Sequence, residues 1–329
     1  MKLIDYLCCP NCKKDLIEKK NHLSCKSCQI DYIVKSGIPI LLNPKELSSQ
    51  NKKQIDYFSV SRDVVKKEYE LEEWHKSFLN RFLENFSNLK NKLVLDCGVG
   101  QGYMTIELAK KGAFVIAFDL TFEWLARLKE ITKQKKLEDR ILFVCCSAES
   151  LPIKDNKIDY LISNALLEHL EKEKEALAEI DRVCNNQAGL MITTPLKFRY
   201  VNPLFVPFYY LQDKVIGHLR RYDNEGLKKI FGKFKWQLKK VYYTGHIFKV
   251  IITKLFITSL PKLRTLVREM MAKRLKACQR KPWAFSPGKL IEVFGFNNLA
   301  EIGEKVDRKS EKKKFGASSI CIFFERKNE

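Results

Sequence analysis

The hydrophobic pattern of the chain changes period near residue 91. From 54 to 90, aromatic residues (Tyr57, Phe58, Trp74, Phe78, Phe82, Phe86) recur among charged ones at near-helical spacing, which predicts helices leading into a larger domain. From 91 onward, short apolar runs alternate with amphipathic stretches. Strands are expected at 93–96, 114–119, 141–145, 158–163 and 189–194, with helices at 103–111, 121–136 and about 173–184. Strand and helix alternating in this way predict a parallel α/β sheet. After Pro195 the pattern loosens over 196–220 and resumes with a helix at 225–231 and a strand at 236–243. It loosens again over 245–315 and ends on a strand at 317–325.

The first 42 residues are different in kind. They are dense in cysteine and end in Gly37-Ile-Pro-Ile-Leu-Leu42, after which Asn43-Pro44 and a polar stretch break the pattern. The expected organisation is a cysteine module at 1–42, a linker with helices at 43–90, and a main domain at 91–329 carrying insertions at 196–220 and 245–315.

Composition matters where it is uneven. The 329 residues are 45% apolar, enough for one large packed domain and a small module. The formal net charge is +21, yet residues 91–195 hold 14 Lys and Arg against 16 Asp and Glu, whereas 196–329 hold 30 against 11. A near-neutral core with a strongly basic C-terminal part implies an anionic partner surface, either a phospholipid leaflet or nucleic acid. The N-terminus shows neither a long apolar stretch nor a small-residue cleavage site, so a reducing cytoplasmic setting is expected. The longest apolar segment, at 247–260, is interrupted by Lys249, Thr253 and Lys254, and its length of about 14 residues falls short of the roughly 20 needed to span a bilayer.

Two knuckles, Cys9-Pro-Asn-Cys12 and Cys25-Lys-Ser-Cys28, stand 12 residues apart and can present four thiolates tetrahedrally to zinc. Cys8 in a shifted register or His22 are alternative ligands. With four protein ligands such a zinc is structural, and a segment this small needs the metal to fold.

The first strand of the main domain ends in Asp96 and runs into Gly98, Gly100 and Gly102, where absent side chains let the backbone turn sharply and approach a ligand. Asp119 closes the second strand about 20 residues on, where a carboxylate can accept hydrogen bonds from both ribose hydroxyls. A helix N-cap is the plainer role for it.

Four successive blocks resemble the class I methyltransferases. They are Asp96-Cys-Gly-Val-Gly-Gln-Gly102, Phe118-Asp119-Leu120, Ser147-Ala148-Glu149-Ser-Leu-Pro152, and Ile158-Asp-Tyr-Leu-Ile-Ser-Asn164-Ala-Leu-Leu-Glu-His169-Leu. The resemblance covers about 91–245 and the final strand, and implies a Rossmann-like, seven-stranded sheet that binds S-adenosylmethionine. By that resemblance the glycine loop lies under the methionine portion of the cofactor, Asp119 holds the ribose, and Ser147, Ala148 and Glu149 face the adenine. The backbone at Asn164 reaches the methionine amino group. Ser147 stands where the family usually has Asp. His169 is placed at the pocket edge or serves as a helix cap. The tail of the cysteine module resembles the zinc ribbons that accompany methyltransferases.

Beyond Pro195, Gly217-His218-Leu-Arg220-Arg221-Tyr222 is similar to a block in methyltransferases acting on quinones, lipids and glycans. His218 is the candidate general base, with Arg220 or Arg221 anchoring an anionic group and Tyr222 beside them; bracing of the loop is the alternative for His218. The apolar segments 201–216 and 247–260, the latter followed by basic positions from Lys262 to Lys276, fit an interfacial helix on anionic lipid, with a core helix and a solvated basic continuation as the alternative. The expected function is methyl transfer to a small or lipid-linked acceptor, peripheral to the inner membrane surface. An RNA methyltransferase and a non-catalytic zinc-ribbon scaffold are the alternatives.

Overall fold

The computed structural model describes residues 3–42, 47–60, 69, 71, 73–246 and 297–327. The apolar segment 247–260 and the basic positions that follow it lie outside the described residues.

The N-terminal module opens with helix α1 (Leu3–Tyr6) and builds a four-stranded antiparallel sheet from β1 (Ile17–Lys19), β2 (His22–Cys25), β3 (Ile30–Lys35) and β4 (Ile38–Pro39). Helices α2 (Ser49–Val60) and α3 (Glu73–Asn85) follow. The main domain then alternates β5 (Leu93–Cys97), α4 (Tyr103–Lys110), β6 (Phe114–Asp119), α5 (Phe122–Gln134), β7 (Ile141–Cys145), β8 (Ile158–Asn164), α6 (Glu173–Val183) and β9 (Cys184–Pro195). It closes with α7 (Val206–Ile216), α8 (Asn224–Phe231), β10 (Trp236–Thr244), α9 (Asn297–Ser310) and β11 (Ser319–Arg326).

The seven strands lie in the order β10-β11-β9-β8-β5-β6-β7. Strands β5 to β9 pair in parallel, and β11 runs antiparallel between β9 and β10. Continuous apolar runs are what such a sheet requires, because helices cover both faces. Every residue of β5 and of β7 is buried accordingly. The parallel core is the one that the strand and helix alternation predicts, and the seven strands together make the Rossmann-like sheet that the resemblance implies.

The cysteine module is not a bead on a linker. Ile40 pairs in parallel with Cys145 at the outer edge of β7, and the Leu41 N–H donates to the Cys145 carbonyl at 2.8 Å. The Lys13 ammonium reaches Glu179 at 2.7 Å. Leu7, Leu23 and Tyr32 share one buried cluster with Leu142, Val144 and Leu151. The module therefore covers a sheet edge that would otherwise expose unpaired backbone groups.

Two helices lie in stretches where the sequence pattern loosens. Helix α7 occupies the first insertion, with Pro207 in its opening turn, where a missing N–H costs nothing. Helix α9 lies in the described part of the second. The C-terminal end of α7 is laced to α2: Gln50 Nε2 donates to the Gly217 carbonyl at 2.8 Å and Gln54 Nε2 to the Ile216 carbonyl at 3.1 Å. These bonds satisfy carbonyls that a helix end leaves without partners.

Candidate active site

The chain leaves β5 through Gly98, Gly100 and Gly102, whose φ angles of 69°, 48° and 73° are left-handed. A Cβ at Gly102 would stand 2.3 Å from the Leu128 side chain of α5. Gly100 lines a cavity of about 790 Å³, and a Cβ there would meet nothing within 4 Å. The loop is thus packed from below and open above.

On one side of the cavity stand Asp119, Leu120, Ser147 and Ala148. Asp119 Oδ1 accepts from the Thr121 N–H at 2.8 Å and Oδ2 from the Gly100 N–H at 3.2 Å. Thr121, rather than Asp119, is the N-cap of α5. Burial pushes the Asp119 carboxyl up, against the pull of those backbone donors. The Ser147 hydroxyl accepts from the Glu149 N–H at 3.2 Å. Asn164, at the end of β8, donates from Nδ2 to the Tyr103 hydroxyl at 2.7 Å, and its carbonyl accepts from Thr193. The next residue, Ala165, has φ 54°, a left-handed conformation that costs a non-glycine residue about 1 kcal/mol. Its N–H is held by the Thr193 carbonyl at 3.0 Å.

The other side is roofed by α2, α3, α7 and the chain after Gly217. Here His169 and His218 approach with ring centroids 4.8 Å apart. Glu168, fully buried beside them, has no hydrogen-bond partner on either carboxylate oxygen. Burial pushes its carboxyl up to about 8, with its own backbone N–H, then Thr194 and Arg221, pulling the other way. Burial and then the neighbouring His218 push His169 down to about 4. His218 Nδ1 lies 2.7 Å from Asp213 Oδ1.

Asp213 is the site residue that the sequence reading missed. Its signal is the glycine four residues on. Gly217 ends α7 with φ 82°, and both its N–H and that of His218 return to the Asp213 carbonyl at 2.9 Å. A left-handed residue after a helix turns the chain back over the last turn, which sets His218 beside the Asp213 side chain. Arg221 grips the same carboxylate, Nε to Oδ2 at 2.6 Å and Nη2 to Oδ1 at 2.8 Å. Glu168, quoted only as part of the fourth block, also belongs to this corner.

Gly98, Gly100, Asp119, Leu120, Ser147, Ala148, Asn164, His169, His218 and Arg221 all line the cavity. Five expected residues do not. Asp96 is buried beneath the loop, where it accepts from the Thr105 hydroxyl at 2.6 Å and burial raises its carboxyl to about 6. Gly102 is packed on Leu128. Glu149 turns away to accept from the Lys172 N–H at 2.8 Å and from Asn51. Arg220 donates to the Leu170 carbonyl at 2.7 Å, and the buried Tyr222 hydroxyl bonds Glu173. Arg221 touches the cavity but commits Nε and Nη2 to Asp213 and Nη1 to the Leu196 carbonyl. Neither arginine is arranged as the anion anchor expected from the sequence.

The family model for a methyltransferase domain matches residues 95–192, from the glycine loop through β9. The chain carries a class I methyltransferase domain. A malonyl-[acyl-carrier protein] O-methyltransferase from Hamiltonella defensa is 33% identical over 114 residues, which cover 35% of this chain and 42% of that protein. A ubiquinone/menaquinone biosynthesis C-methyltransferase from Rickettsia akari is 26% identical over 170 residues, 50% of this chain and 62% of its own length. The chain therefore spans less than two thirds of either relative. Geranyl diphosphate C-methyltransferase from Streptomyces coelicolor superposes with a TM-score of 0.55 at 11% identity, covering 86% of this chain and all of that one, a likeness of fold.

Against the outer edge of the methyltransferase sheet, Cys9, Cys12, Cys25 and Cys28 bring their four sulfurs within 4.8 Å of one another. Cys9 and Cys28 are 3.8 Å apart and Cys12 and Cys25 3.5 Å, close to the roughly 3.8 Å edge of a tetrahedron with bonds of about 2.3 Å. The Tyr32 hydroxyl stands 3.5 Å from the Cys9 sulfur. Cys8 is outside this cluster; its N–H pairs with Pro152, and burial pushes its thiol up to about 11. His22 is likewise outside it, beside Asp31 at 3.8 Å.

Proposed function

We propose that this chain transfers the methyl group of S-adenosylmethionine to a small, lipid-linked acceptor at a membrane surface. The observation that carries the acceptor class is the outer face of α7. Pro207, Leu211 and Val215 recur every four residues on that helix and so share one stripe, and Leu211 and Val215 are 63% and 68% exposed. Leu204, 77% exposed, and Tyr210 flank it. The inner face of the same helix, through Tyr209, Gln212 and Ile216, lines the cavity. A helix with one face on a cavity and an exposed apolar stripe on the other suits an acceptor whose tail stays in lipid. The basic excess after Pro195 favours an anionic leaflet. Among the described residues, no helix is long and apolar enough to cross a membrane.

The cofactor's fit rests on the open face of Gly100 and on Asp119 at the cavity wall, one beneath the amino-acid part and the other beside the ribose. When bound, S-adenosylmethionine supplies an electrophilic methyl group on sulfur, and transfer to a nucleophile leaves the bond's electron pair on that sulfur. The protein then aligns the acceptor and excludes water. Glu168, His169 and His218 form the polar corner of an otherwise largely aromatic roof, and we assign activation of the acceptor to it, with Asp213 fixing the His218 ring. Cys9, Cys12, Cys25 and Cys28 are assigned to a structural zinc.

The test incubates cell extract with protein and isotopically labelled cofactor, then separates lipid, small-molecule and RNA fractions. Label in the lipid fraction, together with co-sedimentation on anionic liposomes that is weakened by Leu211→Glu with Val215→Glu, supports the reading. Label in RNA alone overturns the acceptor class. Absence of cofactor binding by calorimetry leaves the scaffold alternative.

A further inference from the structure

Among the described residues, two groups of side chains stand close enough together to hold a metal ion: the four cysteines, and Glu168, His169 and His218 in the cavity. The ligand atoms of the second group all lie within 4.8 Å of one another.

Each of the three is prepared in a way that a merely structural role does not require. Glu168 is 0% exposed and has no hydrogen-bond partner for either oxygen, a state that a buried carboxyl relieves either by keeping its proton or by taking a cation. His169 is nine-tenths buried, and its Nδ1 is buried without a partner. A metal ion would take the lone pair of that nitrogen in the neutral ring. His218 is bonded through Nδ1 to Asp213, itself locked by Arg221, which repeats the carboxylate–histidine arrangement that supports metal ligands. The three come from two separate segments, a turn after β8 and the reversal after α7, and the roof formed by α2 and α7 brings them to one corner.

We propose that Glu168, His169 and His218 bind a divalent first-row transition-metal ion, with its remaining positions open to the cavity. Two imidazoles and one carboxylate select zinc, iron, manganese or cobalt over the oxygen-seeking magnesium and calcium. Three protein ligands leave room for a further ligand from the acceptor, as in catalytic rather than structural sites. Ligand atoms about 2.1 Å from one tetrahedral ion stand about 3.4 Å apart, so side chains whose ligand atoms lie within 4.8 Å of one another need only small shifts to bind it. His218 then acts as a ligand, replacing the general-base role expected from the sequence. The inference rests on the reading that this half of the cavity receives the acceptor.

The experiment titrates the full chain, its cysteine module loaded with zinc, with Mn²⁺ followed by electron paramagnetic resonance, in the absence of cofactor and acceptor. Manganese avoids thiolates, so the cysteine cluster does not compete. The expected result is one Mn²⁺ bound per chain, displaced by added Zn²⁺, and binding at least about 100-fold weaker in Glu168→Gln and His218→Ala. Thermal melts guard against misfolding. Mn²⁺ raises the melting temperature of the wild type and leaves that of Glu168→Gln unchanged, while metal-free Glu168→Gln melts no lower than metal-free wild type because an unpartnered buried acid has been removed. Mn²⁺ that stays free in the wild type, or binds equally to Glu168→Gln, overturns the proposal. Neither readout involves methyl transfer, so failure here leaves the proposed reaction standing, and bound Mn²⁺ without methyl transfer leaves this site standing.

Discussion

His218 Nδ1 and Asp213 Oδ1 stand 2.7 Å apart because Gly217 reverses the chain at the end of α7, and Arg221 holds the same carboxylate from the other side. Asp213 fixes a ring that faces the acceptor without reaching the acceptor itself. Asp213→Asn keeps the size of the side chain and gives up its charge, so the grip of Arg221 weakens and the ring is freer to turn. Turnover is expected to fall by about 10–100-fold, the usual cost of losing the group that orients a site histidine. The dissociation constant of S-adenosylmethionine stays within about twofold. Unchanged turnover in this variant would falsify a positioning role.

The cofactor half of the cavity yields a prediction of the opposite kind. Asp119→Ala removes the carboxylate assigned to the ribose hydroxyls, and hydrogen bonds to a charged group are each worth about 1.5–3 kcal/mol. Calorimetry is expected to show S-adenosylmethionine binding weakened by about 10–100-fold, with the melting temperature little changed. The expectation fails if affinity matches the wild type.

Gly102→Ala tests packing rather than ligand contact. At φ 73°, with Leu128 2.3 Å from the new Cβ, the loop or α5 has to move. A strained, overpacked glycine site costs about 1–3 kcal/mol. Chemical denaturation reads that loss directly. A variant as stable as the wild type would show that the loop has slack that the packing of Leu128 does not suggest.

What the sequence made legible follows from which signals are local. The central strands are continuous apolar runs bounded by turns, and the pattern locates them within a residue or two, as at β6, Phe114–Asp119, and β7, Ile141–Cys145. Strand β9 begins earlier than expected, at Cys184, because that residue pairs with Ile158 before a register shift passes over the polar Asn185, Asn186 and Gln187 and pairing resumes at Gly189. Helix α7 was obscured by two prolines and by apolar residues on all sides, which erase the helical period. The four cysteines were plain from spacing alone, yet the docking of their module on β7 was not, because it depends on Ile40 meeting Cys145 across more than a hundred residues. Glu149, Arg220 and Tyr222 looked like site residues by their place in motifs, whereas the fold gives each a partner away from the cavity. Asp213 and Glu168 went unassigned for the converse reason: the meaning of each lies in a neighbour from another segment.

The cysteine module covers a sheet edge, so its loss reaches the main domain. Cys25→Ser removes one thiolate from the cluster, and a module this small folds at the expense of metal-binding energy. The expected outcome is loss of the single zinc from this cluster, measured by elemental analysis, together with faster proteolysis near 36–50 and a lower melting temperature for the whole chain. Full zinc content in the variant would sink the four-cysteine assignment.

The last prediction concerns pH. His246 follows β10, one residue past Gly245 of the cavity lining, and both of its ring nitrogens are engaged: Nδ1 with Asp307 Oδ1 at 2.9 Å and Nε2 with the Lys313 carbonyl at 2.8 Å. A carbonyl and a carboxylate can only accept, so both nitrogens carry protons and the ring is an imidazolium. Burial pulls its pKa down, but the bonds to Asp307 and Lys313 outweigh burial and raise it above the ordinary 6.5. A histidine whose folded pKa is raised contributes stability that is fully present below its unfolded value and is lost as pH climbs through the folded value. His246→Asn is therefore expected to cost about 1–3 kcal/mol at pH 6, the scale for a buried charge-assisted bond. The difference from the wild type narrows by pH 9, where a neutral ring can donate from only one nitrogen. Urea unfolding of both proteins across that range is the measurement, and a gap that stays constant would mean that the ring never carries the charge its partners call for.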